Sequence, residues 1–90
     1  MYNLVFTESF KKKELRFLKK HTELVDTYAK ILKLLSLNPQ HPSLRTHKLA
    51  GKLSGLFSVA ITISYRLTVH FIIKDKIIIP INIGSHDEVY

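Results

Sequence analysis

Two hydrophobic periods divide this chain, and prolines stand at the boundary between them. Leu24, Tyr28, Ile31, Leu32 and Leu35 fall at i, i+4, i+7, i+8 and i+11, which predicts one face of a helix over about 22 to 37. From Phe57 the spacing becomes two. Phe57, Val59, Ile61 and Ile63 alternate with Ser58, Ala60, Thr62 and Ser64, the pattern of a strand with one buried face. Between the two, Asn38-Pro39-Gln40-His41-Pro42 closes the helix, because a proline disfavours helical geometry in the residue before it. A chain that changes period in this way has to pack helix against sheet.

The remaining segments extend that reading. Residues 2 to 6 predict a short strand with Leu4 and Phe6 turned inward. Thr7 is placed to cap a helix over about 8 to 20, with Glu8 suiting the helix dipole. That helix sets Phe10, Leu15, Phe17 and Leu18 against Lys11, Lys12, Lys13, Arg16, Lys19 and Lys20. His21-Thr22 predicts a break with a second cap, so the two helices form an antiparallel hairpin. Residues 43 to 54 predict a loop. The chain then reverses near Ser64, runs as a second strand from Tyr65 to Ile73, and turns at Lys74-Asp75-Lys76. Ile77 to Ile83 predicts a third strand, apolar enough to be central, in which Pro80 requires a bulge or an unpaired amide. The expected architecture is α+β and one domain over residues 1–90: β-α-α-β-β-β, a single antiparallel-dominated sheet with a two-helix hairpin packed on one face.

Composition narrows the function. The absence of cysteine excludes a disulfide scaffold and thiolate metal sites. The five histidines show no metal-ligand spacing, and no glycine-rich phosphate loop or Gly-x-Ser-x-Gly nucleophile motif is present. No metal or nucleotide cofactor is expected. No signal-peptide pattern opens the sequence, and no apolar run approaches the roughly 20 residues a membrane span needs. The expectation is a soluble, cytoplasmic protein without a membrane partner. The formal charge of +7 suits plain solubility, a nucleic acid or an acidic protein partner, and by itself does not choose among them.

Several residues are placed to carry chemistry. His86, in a polar tail after the last strand, titrates near neutral pH and can pass a proton; the alternative is a surface histidine. Arg66 opens the second strand in apolar surroundings. A guanidinium there either grips a phosphate bidentately or lies on the solvated face of a half-buried sheet. Arg45, His47, Lys48 and Lys52, with Gly51 as a flexible point, suit phosphate contacts or form a solvated connection. The basic face of the first helix is a steering field for an anion or simply a wet surface.

The pattern His47-x-Leu49-x-Gly51-x-Leu53-x-Gly55, then Tyr65-Arg66-Leu67, then Gly84-Ser85-His86 with Tyr90 four residues on, resembles the RelE/ParE toxin superfamily, closest to its YafQ and RelE branches. The resemblance spans nearly the whole chain. It implies a toxin of a type II toxin–antitoxin system, inhibited by a cognate antitoxin. The implied activity is metal-independent cleavage of mRNA in the ribosomal A site, by attack of the 2′-hydroxyl on the adjacent phosphate. Under it His86 is the acid or base, Arg66 holds the phosphate, Tyr90 stacks on a base or assists proton transfer, and His47 positions or protonates. The chain departs from the family in lacking lysines on Phe57–Ala60, and a second His and an Asp near Ala60 and Ser64. A ParE-like inhibitor of DNA gyrase, or a relative that only binds its antitoxin, is the alternative on the same fold.

Overall fold

The computed structural model describes residues 1–85. Its elements run β1 (Asn3–Leu4), α1 (Glu8–Lys20), α2 (Val25–Leu37), β2 (His47–Lys48), β3 (Phe57–Ala60), β4 (Tyr65–Ile72) and β5 (Ile77–Ser85). Short 3-10 turns occupy Thr22–Leu24, Pro42–Leu44 and Gly51–Leu53. The strands form one five-stranded sheet in the order β1-β5-β4-β3-β2. β1 runs parallel to β5, and every other pairing is antiparallel.

Thr7 caps α1 as expected: the Phe10 amide donates to its Oγ1 at 3.1 Å, which satisfies one of the four free N–H groups of a helix start. Glu8 in the first turn and Lys19 and Lys20 in the last complement the helix dipole. The break falls at His21, but Thr22 caps nothing. The 3-10 turn runs straight into α2, so the position before the helix is Leu24, with no side-chain cap.

The inward face of α1 differs from expectation at Leu15, which is 57% exposed. Phe10, Glu14 and Phe17 share one face at i, i+4 and i+7, and Leu15 lies about 100° away from Glu14. Glu14 is tolerated there because the Tyr28 hydroxyl donates to its Oε2 at 2.5 Å, tying α2 to α1. Burial, then the hydrogen bond and charge of Glu14, push the Tyr28 phenol far above its ordinary range.

The core joins Phe10 and Phe17 of α1 and Tyr28 and Leu35 of α2 to Val59, Leu67, Val69, Ile78 and Ile83 of the sheet. Both helices therefore cover one face. Leu4 and Phe6 pack against this cluster as expected, although only Asn3 and Leu4 pair as a strand. Pro80 sits at a bulge: Thr68 pairs with Asn82 and Val69 with Pro80, leaving Ile81 as the extra residue. Lys13 Nζ donates to the Ile81 carbonyl at 3.4 Å.

β3 is shorter than its alternation suggests. Thr62 Oγ1 accepts from the amides of Ser64 (3.2 Å) and Tyr65 (3.3 Å), a side-chain turn that competes with the ladder. The strand stops at Ala60, and Ile63, expected inside, is 94% exposed. The expected loop over 43–54 hides β2, whose His47 pairs opposite Ser58 and whose Lys48 pairs opposite Phe57. It turns a four-strand expectation into five.

Candidate functional site

Strand alternation decides which residues of β4 reach the helices. Tyr65, Leu67 and Val69 face them and join the core, so Arg66 and Thr68 face the other way. On that second face Arg66 lies between Ala60 of β3 and Gly84 of β5. Two small neighbours leave room for a guanidinium to lie along the sheet.

It lies toward β2. Arg66 Nε donates to Ser58 Oγ at 2.8 Å and Nη2 donates to the Arg45 carbonyl at 3.2 Å. Nη2 also stands 3.4 Å from His47 Nδ1. Among the described residues Nη1 has no partner, so one edge of the fork is fixed by protein and the other is available to an oxyanion. Ser58 is fully buried, which places its hydroxyl in a low-dielectric setting where a charge-assisted bond holds geometry well.

The Arg45 carbonyl is aimed by backbone strain. Arg45 follows the Pro42–Leu44 turn with φ 47 and ψ 45, a left-handed conformation rare for a side-chain-bearing residue. His47 Nδ1 is also 3.4 Å from that carbonyl. One ring nitrogen cannot accept from Arg66 and donate to Arg45 together. With the proton on Nε2, Nδ1 accepts from Arg66. With a proton on Nδ1, the ring donates to the Arg45 carbonyl and competes with the guanidinium for it. His47 is thus coupled to the arginine through a shared acceptor.

Beside this cluster opens a cavity of about 190 Å³ lined by Ser43, Arg45, Ala60, Thr62, Ile63 and Arg66, with Ile61 at its floor. At about 30 Å³ per water, that is space for a phosphodiester group with its first waters. Among the described residues two that bear guanidinium groups and no carboxylate line it, which favours an anion.

Of the residues singled out from sequence, Arg66, Arg45 and His47 come together. Lys48 does not join them: alternation turns it away from His47, into a separate cavity with Tyr2, Phe57 and Phe71. Lys52 is exposed on the Gly51–Leu53 turn. His86 and Tyr90 lie outside the described residues. Ser58 was legible only as a polar position in an alternating strand; its bond to Arg66 depends on the β3–β4 register. Thr68, its register partner, is 2% exposed, and its Oγ1 has no hydrogen-bond partner among the described residues.

Among the described residues no group of three His, Cys, Asp or Glu is placed to hold a metal. None of their helices is long and apolar enough to cross a membrane.

Compared by sequence, the chain matches no protein-family profile and no curated protein. Compared by structure, it does. YafQ from E. coli superposes over 100% of this chain and 99% of its own, with TM-score 0.80 at 15% identity. A metal-bound toxin from Helicobacter pylori covers 100% of both chains at TM-score 0.79 and 21% identity. A YoeB–YefM complex from Staphylococcus aureus matches over 96% of this chain and 98% of that one, at TM-score 0.73 and 21% identity. The expected α+β architecture is therefore the fold of the RelE/ParE-type toxins, YafQ among them.

Proposed function

We propose that this chain, carrying the RelE/ParE toxin fold, is the toxin of a type II toxin–antitoxin pair and cleaves mRNA on the ribosome. The observation that carries the reading is the half-occupied Arg66 fork, held by Ser58 and Arg45 at the mouth of a cationic cavity. The structure of a YoeB–YefM complex, a neighbour of this fold, supports an antitoxin partner, and the charge of +7 suits an acidic one.

In the proposed reaction the substrate supplies its own nucleophile. The ribose 2′-oxygen attacks the adjacent phosphorus, the bond from phosphorus to the 5′-oxygen breaks, and a 2′,3′-cyclic phosphate remains. The 2′-hydroxyl proton leaves as the attack proceeds, and the departing 5′-oxygen takes one up. His86 is the group assigned to one of these transfers, and Tyr90 to the neighbouring base or proton. Arg66 Nη1 binds a non-bridging oxygen, where negative charge grows as phosphorus becomes five-coordinate. Arg45, which also lines the cavity, adds a second positive charge. His47 positions the guanidinium through the 3.4 Å contact between its Nδ1 and Nη2.

The test is a brief pulse of expression followed by mapping of transcript 5′ ends. New ends at defined codon positions in translated messages are expected, and they should vanish on co-expression of the antitoxin. Growth arrest without new ends, accompanied by loss of supercoiling activity of DNA gyrase, would replace this reading with gyrase inhibition.

A further inference from the structure

A second cavity, on the other side of β5 from Arg66, has no part in the reaction just described. It has a volume of about 200 Å³ and is lined by Lys13, Arg16, Lys20, His21 and Asn82 over a floor of Phe17 and Ile83. Lys13, Arg16 and Lys20 stand at i, i+3 and i+7 of α1, one side of the helix, spread over about 10 Å at 1.5 Å per residue. Among the described residues no acidic one lines the cavity. Among the described residues Arg16 and Lys20 form no ion pair; the nearest pair is His21 with Glu23 at 3.8 Å. Lys13 is held in place by its bond to the Ile81 carbonyl, an acceptor the bulge at Pro80 frees from the ladder. His21 is braced between Phe17 and Tyr65, with ring centroids 4.6 and 4.5 Å away. Three like charges therefore stand on one side of the helix, with Lys13 held by its bond to Ile81 and Arg16 and Lys20 exposed. That arrangement attracts an anion.

We infer that this groove is a second phosphate-binding site, one that holds the RNA backbone away from the bond being cleaved. The inference rests on the RNA-directed reading above. An acidic protein segment is the competing occupant, and the floor argues against it. Phe17 and Ile83 are each 7% exposed, so the groove offers almost no apolar surface for the anchor residues a protein segment needs. A phosphodiester strand needs none; cations and an amide such as that of Asn82 suffice. The groove lies beside α1, on the helix side of the sheet, whereas Arg66 faces the other side and reaches toward β2, so a strand touching both sites passes around β5.

The experiment compares the wild type with the variant Lys13→Gln/Arg16→Gln/Lys20→Gln in binding a short single-stranded RNA. The RNA carries 2′-O-methyl sugars throughout, so the nucleophile is blocked and binding is read whether or not the protein cleaves. The variant should keep its thermal midpoint and bind at least tenfold more weakly at low salt. Its log–log salt slope should be shallower by about 2, three contacts at roughly 0.7 each. Arg66→Ala should lower the slope by about 0.7 in both backgrounds, independently of the groove. Inorganic phosphate titrated against the wild type should perturb the amide signals of Arg16 to His21 at millimolar concentration, and not in the variant. Equal slopes for wild type and variant would overturn the inference. So would poly-glutamate displacing the RNA at equal charge concentration, which would mark the groove as an acidic-protein surface. Binding with the expected slope but without cleavage in any assay would sink the nuclease reading and leave the groove standing.

Discussion

Ser58 Oγ receives the Arg66 Nε at 2.8 Å from the adjacent strand, and both residues lie on the face of the sheet that the helices leave uncovered. The bond fixes the inner edge of the guanidinium and so decides where the outer edge points. A hydrogen bond to a charged group contributes about 1.5–3 kcal/mol.

Ser58→Ala is therefore expected to slow single-turnover cleavage by roughly 10- to 100-fold, since about 1.4 kcal/mol is a factor of ten. Ser58→Thr, which keeps the hydroxyl, should recover most of the rate. In an Arg66→Ala background Ser58→Ala should cost nothing more, because the group it positions is gone. Additive losses would show that Ser58 acts by some other route.

Arg45 holds φ 47, a conformation that costs an L side chain about 1–2 kcal/mol and a glycine nothing. Arg45→Gly relieves it but adds freedom to the unfolded chain, worth about 0.5–1 kcal/mol in the other direction. The expected result is unchanged or slightly raised stability by urea unfolding, together with weaker RNA binding from the lost charge. A clear fall in stability would mean the Arg45 side chain holds the turn.

Thr68 buries a hydroxyl with no partner at 2% exposure. Thr68→Val keeps the shape and removes the unsatisfied group. Its urea midpoint should rise, by about 1 kcal/mol in unfolding free energy. A fall would mean that the hydroxyl is satisfied in solution.

Tyr28 carries the fold's pH dependence at the alkaline end. Its phenol is raised by burial and by Glu14, so the unfolded chain releases that proton first. The stabilisation is intact below about pH 10, the ordinary tyrosine value, and is lost as pH climbs from there toward the folded value. Wild type should lose stability between about pH 9 and pH 11 more steeply than Tyr28→Phe, which lacks the group. At neutral pH the same substitution should cost about 1–2 kcal/mol, because Glu14 loses its donor. Parallel pH curves would contradict the linkage.

What could be read from the sequence was local. The Thr7 cap, the α2 stripe and the bulge at Pro80 each follow from a few neighbouring residues, and the structure contains all three. What escaped depends on distant pairing or on one side chain overriding a pattern. Two residues at His47–Lys48 carry no alternation to reveal a strand, and the parallel pairing of Asn3 with Ile77 joins the two ends of the fold. Thr62 turned Ile63 outward by bonding two amides, and Glu14 took the inward position beside Leu15 through a partner on the other helix. The site divides in the same way. Arg66 and His47 stood out by residue type, whereas Ser58 acquires its role only when β3 is laid beside β4.

The central claim is that the Arg66 guanidinium holds the phosphate at which RNA is cut. Its most direct measurement is single-turnover cleavage of mRNA in programmed ribosomes by wild type, Arg66→Lys and Arg66→Ala, each checked for an unchanged thermal midpoint. Lysine keeps the charge but cannot span Ser58 and a phosphate oxygen together, so both variants are expected to lose at least 100-fold, alanine more than lysine. Cleavage by Arg66→Ala within a few-fold of wild type would contradict the account.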